Sequence, residues 1–238
     1  YYHQIEDKHW WHISRRDMII KLIKWQDLDK NYRVLDIGCS TGNFVKEALK
    51  LSSANIFGID ISETAVKECE KNGLENIYLM SGDKTTFDDN SFDIVIGSDC
   101  LEHMENDSKT LKEWNRILKP NGKLIIFVPA WKTLWSNLDE MSHHYRRYSY
   151  SDLKMKLIDA DFNIHRLSFW NVLLFIPILI YRKIESLTRT NNVNQLQSSI
   201  PSNFINELLK SILKIENRII IKYNLPIGVS LFAICSKK

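Results

Sequence analysis

Two hydrophobic periods take turns along this chain. Short apolar runs at 32–37, 55–59, 76–80, 92–97 and 123–128 are separated by segments in which apolar residues recur every three or four positions. The runs predict buried strands and the segments predict amphipathic helices. The helices are 43–51, one capped by Ser62 that runs to Lys71 before Asn72-Gly73, and 106–118. Asp88-Asp89-Asn90 and Lys119-Pro120-Asn121-Gly122 carry turn chemistry. Strands alternating with helices imply a parallel sheet covered on both faces.

The flanks read differently. From 2 to 28 the pattern is helical, with apolar Trp11, Met18, Ile19, Leu22, Ile23 and Trp25. Its start, His9-Trp10-Trp11-His12 with Arg15-Arg16 following, either packs on the core or forms a lid over a ligand. Residues 129–150 have no simple period and are dense in Trp, His, Arg and Tyr. A helix at 151–160 and a strand at 162–167 follow. The most apolar run, 169–181, is interrupted by Asn171 and Pro177. The polar, Asn-rich stretch 188–202 is expected to be a mobile loop, 204–223 an amphipathic helix, and 227–236 a closing strand. There are no internal repeats.

Composition narrows this picture. With 238 residues and 44% hydrophobic content, the chain can build one substantial core. A single domain over 1–238 is expected: a helical lid at 1–30, a core at 31–130, a flap with helical insertions at 131–226, and a final strand at 227–238. Cys39, Cys69, Cys100 and Cys235 form no C-x-x-C pair and read as reduced, buried thiols of a cytoplasmic protein. The polar start at Tyr1 shows no signal peptide, and the lack of an initiator Met suggests that some N-terminal residues are missing. No apolar run reaches the roughly 20 residues of a membrane span. A formal charge of +3 gives no argument for nucleic acid.

Candidate chemistry lies at the strand ends. Val34-Leu35-Asp36-Ile37-Gly38-Cys39-Ser40-Thr41-Gly42 is a strand, a small-residue turn and a helix start. Such a turn lets backbone approach a ligand at a helix N-terminus, and open α/β sheets bind ligands at their strands' carboxyl ends. A dinucleotide fingerprint would read G-x-G-x-x-G, but Ser40 and Asn43 stand where its second and third glycines belong. Asp60, ending Phe57-Gly58-Ile59-Asp60, can accept hydrogen bonds from both ribose hydroxyls. Asp83, after Gly82, can accept one from an adenine amino group. A carboxylate at each of these strand ends is more specific than the turn alone.

On these residues the chain resembles a class I S-adenosylmethionine-dependent methyltransferase. Asp36 through Gly42 is similar to the family's D-x-G-x-G-x-G motif, with Ser40 as a departure. Asp60 resembles the ribose-binding acid and Gly82-Asp83 the adenine-binding pair. Ser91-Phe92-Asp93-Ile94-Val95 through Leu101-Glu102-His103, and Leu118-Lys119-Pro120-Asn121-Gly122-Lys123-Leu124, resemble the fourth- and fifth-strand motifs. His9-Trp10-Trp11 and the later Leu134-Trp135 and His144 through Tyr148 resemble a bacterial and archaeal subgroup associated with glycan or lipid-linked pathways. The resemblance implies a Rossmann-like, doubly wound seven-stranded α/β sheet with its last strand antiparallel, an N-terminal helical lid and a C-terminal helical insertion. It implies S-adenosyl-L-methionine as cofactor and S-adenosyl-L-homocysteine as product. The implied cofactor residues are Asp36, Gly38, Ser40, Gly42, Asp60, Ile61, Gly82, Asp83, Ser98 and Trp11.

The acceptor is less legible. Methyl transfer from a sulfonium is an in-line displacement that positioning can accelerate. A hydroxyl or ammonium acceptor also needs a base, which histidine suits. Asp99 and His103 follow the fourth strand, and His143 and His144 lie in the flap; His144 is taken as base or substrate orienter, with a structural role under the flap as the alternative. Trp10, Arg146, Arg147 and Tyr148 are candidate substrate contacts. The arginines could clamp an anionic group or pair with Asp139 and Glu140. Adjacent His143 and His144 point apart and no carboxylate is spaced to join them, so no metal is expected. Ser98-Asp99-Cys100-Leu101 replaces the [DN]-P-P-[FY] of nucleic-acid amino methyltransferases. The expected acceptor is small or lipid-linked, a sugar among the options, and nucleic acid is not favoured.

Lys210, Lys214, Arg218 and Lys222 form a basic stripe on the 204–223 helix. That helix either packs on the sheet with a solvated cationic face, forms a dimer interface, or sits with 169–181 on an anionic membrane at the inner face. Monomer and homodimer stay open. The competing functions are a nicotinamide-dependent oxidoreductase and a cofactor-binding, non-catalytic partner protein.

Overall fold

The computed structural model describes residues 6–26, 31–50, 55–188 and 201–238. The expected helix residues 2–5 and 27–28, and the expected loop at 189–200, lie outside them.

Helix α1 (Trp10–Trp25) opens at His9, whose ring accepts the Trp11 N–H at 3.3 Å. The core then alternates as expected: β1 (Arg33–Ile37), α2 (Asn43–Leu49), β2 (Asn55–Asp60), α3 (Glu63–Lys71), β3 (Ile77–Leu79), β4 (Phe92–Ser98), α4 (Asp107–Ile117) and β5 (Leu118–Pro129). Ser62 caps α3 through the Ala65 N–H and Asn106 caps α4 through the Lys109 N–H, each meeting a donor the helix leaves unpaired. After β5 come a single 3-10 turn, α5 (Asn137–Met141), α6 (Tyr150–Asp159), β6 (Phe162–Trp170), α7 (Phe175–Thr188), α8 (Asn203–Ile220) and β7 (Ser230–Lys237).

The sheet order is β3-β2-β1-β4-β5-β7-β6, and β7 runs antiparallel to both neighbours. Alternate strand residues feed two apolar layers. Val34, Ile56, Ile94 and Ile96 face α1, α2, α3 and α8; Leu35, Ile37, Ile59 and Val95 face α4 and α6. The carboxyl ends of parallel β1, β2, β4 and β5 therefore open on one edge of the sheet.

Three expectations need revision. Residues 119–122 are an irregularity within β5: Phe92 pairs with Leu118 and Ile94 with Lys123, so the turn chemistry bulges a strand instead of preceding one. The apolar run 169–181 is two elements. Asn171 adopts φ 62°, and the buried Glu216 carboxylate accepts the N–H groups of Asn171, Val172 and Leu173, which ends β6 and holds the link to α7. Trp25 is half exposed, with the Arg166 guanidinium over its ring.

Helix α8 fixes α1. The Asn206 carboxamide accepts the Trp10 N–H and donates to Lys8 O; the Asn217 amide donates to Ser14 O and Asp17 while its oxygen accepts the Trp170 indole N–H. No helix of the described residues is long and apolar enough to cross a membrane.

Candidate functional site

The site starts at the β1–α2 turn. Gly38 and Gly42 both have φ of 75°, and a Cβ on Gly42 would lie 2.3 Å from a Leu74 methyl, so only glycine fits without displacement. Ser40 takes φ 49°, a left-handed backbone that the departure from glycine makes more costly. The Gly38 and Cys39 N–H groups donate to Ile59 O. Asp60 accepts the Ser40 N–H on one oxygen at 2.9 Å and the Ser62 N–H on the other at 2.8 Å. Each oxygen keeps a further lone-pair direction, which suits a pair of ribose hydroxyls.

The neighbouring strand ends carry the other expected residues. Ile61, just past Asp60, is 73% exposed, a large apolar side chain left uncovered where a base would stack. Gly82 is buried with its carbonyl held by the Trp114 indole at 2.9 Å, and Asp83 accepts the Ser81 hydroxyl. Asp36 is buried at the end of β1. Burial first, then Asp60 and Glu6, push its carboxyl up to about 7. Glu6 carries no local sequence signal: its carboxylate accepts the Ser40 and Thr41 hydroxyls at 2.8 and 3.1 Å. Three carboxylates thus converge on the turn, an environment that favours a cationic ligand.

The end of β4 is the second part. Asp99 has φ 53° and accepts the Ser98 hydroxyl at 3.0 Å and an Arg15 N–H at 3.4 Å. Burial raises the Asp99 pKa, and Arg15 opposes the rise. Arg15 itself was passed over in the sequence as one of a basic pair. It is buried between the rings of Trp11, Phe127 and Trp170, at 4.6, 4.2 and 4.1 Å, and donates to the Ser230 hydroxyl. Its Nε and Nη1 have no hydrogen-bond partner, nor does either oxygen of buried Glu102. Burial, then Asp99, raises the Glu102 pKa well above its ordinary value. Trp11 meets Trp170 edge to face, and Trp10 is half-buried against the core under α8. Both tryptophans therefore pack on the core, and Trp11 also lines the box around Arg15.

The flap is the third part, and its organiser is Asp139. The pattern Ser136-x-x-Asp139 is a capping box, and the Ser136 N–H and hydroxyl both donate to Asp139. Arg147 adds two more donors, at 2.8 and 3.0 Å, and His144 Nδ1 lies 2.9 Å away. Burial alone would raise the Asp139 pKa; the His144 hydrogen bond and the Arg147 charge override it and hold the carboxyl far below the usual range. His103 meets the His144 ring edge to face at 4.6 Å, and burial, then His144, lowers its pKa to about 4. His143 is exposed, at φ 56°.

The other flap candidates hold the fold instead of facing a ligand. Arg147 is locked on Asp139 and Ala130 O. Arg146 pairs with Asp107, not Glu140, at 2.8 Å. Tyr148 is fully buried with its hydroxyl on Asp107 at 3.0 Å. The spacing of these residues was visible in sequence, but their direction was not. All four cysteines are buried and free.

Residues 35–126 match the family model described as a methyltransferase domain. Demethylmenaquinone methyltransferase of Staphylococcus aureus is 32% identical over 120 residues, which is 48% of this chain and 50% of that protein. Ubiquinone biosynthesis O-methyltransferase of Pelagibacter ubique is 31% identical over 118 residues, 47% of this chain and 49% of that one. The chain thus spans about half the length of the curated relatives it matches. Among solved structures, phosphoethanolamine N-methyltransferase 2 of Haemonchus contortus, in complex with S-adenosyl-L-methionine, superposes with a TM-score of 0.62 at 21% identity, over 93% of this chain and 52% of that one.

Proposed function

We propose, from a methyltransferase domain at residues 35–126 set in a sheet of class I methyltransferase order, that this protein transfers a methyl group from S-adenosylmethionine to an oxygen or nitrogen of a small or lipid-linked acceptor. The observation that carries the reading is Asp60, anchored by the Ser40 and Ser62 amides with lone pairs left over, beside a turn that has no room for a side chain at Gly42. When bound, the cofactor supplies a methyl group activated on a cationic sulfur. Asp60 would hold the ribose, Gly82 and Asp83 the adenine edge with Ile61 against the base, and Asp36 and Glu6 the positive charge. Ser40 and Asn43, in place of fingerprint glycines, speak against the nicotinamide reading.

On the acceptor side, Asp139 orients His144 through Nδ1, so that Nε2 is presented beside His103 and Glu102. A hydroxyl or ammonium nucleophile can pass its proton to that nitrogen. Arg15 and the tryptophans would exclude water and offer N–H donors to the acceptor.

A lipid-linked acceptor is supported by α7 and α8. Leu173 just before α7, Ile176 and Ile180 on α7, and Phe204, Leu208, Ile215 and Ile219 on α8 are exposed, as are Lys214 and Arg218 on α8 and Lys222 just after it. Exposed apolar and basic groups on these segments suit an anionic membrane surface, which supports peripheral attachment at the cytoplasmic face. Flotation with anionic but not neutral liposomes is the expected result; no flotation with either sinks this part.

Calorimetry with S-adenosylhomocysteine, followed by transfer of labelled methyl into a panel of hydroxyl and amine acceptors, tests the main reading. Absence of binding overturns it. Binding with no acceptor ever labelled favours the non-catalytic partner instead.

A further inference from the structure

We infer that Glu102, His103 and His144 form a binding site for one divalent transition-metal ion, with positions left open for an oxygen of the acceptor. The binding itself is independent of the methyltransferase reading; its use in activating an acceptor rests on that reading.

Each of the three residues offers one ligand atom, and these atoms all lie within 4.8 Å of one another. Two imidazoles and a carboxylate are a donor set that suits zinc and its borderline neighbours, and three protein ligands leave room for an exogenous oxygen. The objection that neighbouring histidines point apart applies to His143 and His144. The pair the fold brings together is His103, on the 3-10 turn after β4, and His144, from the flap. The Tyr145 N–H donates to Glu102 O at 2.8 Å, so the two ligand-bearing segments are tied by backbone.

Two independent observations point to an occupant. Glu102 is 1% exposed with no hydrogen-bond partner on either oxygen, whereas a buried carboxylate is ordinarily paired or bound to a cation. His144 gives its Nδ1 to the carboxylate of Asp139, which leaves the Nε2 lone pair for a ligand. A metal-bound histidine nearly always has such a carboxylate behind it, and here Arg147 and Ser136 brace that carboxylate in turn. His103 is exposed, which gives an ion a path in from solvent.

With the ion bound, Nε2 of His144 is a ligand and no longer the base. An acceptor hydroxyl on the ion releases its proton to water. The oxygen pair forms the bond to the methyl carbon while the carbon–sulfur pair returns to sulfur, so the charge is balanced.

The experiment is a cobalt(II) titration of the metal-stripped full chain, followed by visible absorption and zinc displacement. A one-to-one complex with ligand-field bands is expected. His103→Ala and His144→Ala should each weaken it by about tenfold or more, and His143→Asn should leave it unchanged. Circular dichroism and S-adenosylhomocysteine calorimetry report on folding of the variants, with Glu102→Gln as the isosteric alternative where an alanine variant unfolds. No complex in the wild type, or bands that survive both histidine variants, overturns the site and leaves His144 as the base. Cobalt binding without S-adenosylhomocysteine binding would sink the methyltransferase reading and keep the metal site.

Discussion

Asp60 accepts the Ser40 amide at 2.9 Å, so the acid that would hold the ribose also locks the turn that would hold the rest of the cofactor. The turn after β1 and the end of β2 are joined by this carboxylate together with the Gly38 and Cys39 amides on Ile59 O. Asp60→Ala should therefore lose ribose acceptors and loosen the turn together. The expected loss is about 2–3 kcal/mol, or roughly 30–150-fold in affinity. Calorimetry with S-adenosylhomocysteine reads it; near-normal affinity contradicts the assignment.

Gly42 makes a separate prediction, on stability. A side chain there meets both a φ of 75° and a Leu74 methyl at 2.3 Å. Gly42→Ala should cost about 2–4 kcal/mol from backbone strain and overpacking combined. Urea unfolding should show a lower midpoint at unchanged slope.

Asp139 and Arg147 predict how the flap fails. Asp139→Ala leaves a buried guanidinium without its partner, which costs about 3–5 kcal/mol. The site-side consequence is a released His144. Limited proteolysis should cut within 131–149 faster in the variant; an unchanged cleavage pattern would contradict the clamp.

Asp36 sets a pH dependence. Its folded pKa, pushed up to about 7, exceeds the ordinary carboxylate value, so the native state holds this proton where the unfolded chain has released it. The stability it contributes is full below about 4 and is lost as pH rises through about 7. Without cofactor, Tm should fall between pH 5 and 8, and Asp36→Asn should flatten that fall. A cationic ligand reverses the preference, so its affinity should rise over the same interval.

Asn217 predicts the coupling of the two terminal helices. Asn217→Leu strands the Trp170 indole N–H in the core, at about 1–3 kcal/mol, and removes the amide bonds to Ser14 O and Asp17 that tie α8 to α1. Hydrogen exchange in α1 should accelerate more than in β4; equal protection would show that α8 does not fix α1.

The alternating core was readable because its signals are local. An apolar run, a cap such as Ser62 or Asn106 and a glycine turn are each set by a few adjacent residues, and together they impose strand, helix and parallel order. The positions of Gly38, Gly42, Asp60 and Asp83 followed, since they sit at strand ends that the alternation itself locates. The split of 169–181 was not readable, because the group that divides it, Glu216, lies some 45 positions away.

The acceptor side shows the same boundary more sharply. By sequence, Arg146, Arg147 and Tyr148 were as good a set of ligand contacts as His144. Tertiary packing turned the first three onto Asp107, Asp139 and Ala130, and left His144 with one nitrogen bound and one presented. Arg15 became a buried cation in an aromatic box only once α8 had pinned α1 over the sheet. The sequence by itself determined the sheet, its helices and the cradle at the strand ends, because hydrophobic period and turn chemistry act over neighbouring residues. Only the tertiary structure decided which polar side chains face the site, because direction and burial depend on partners distant in the chain.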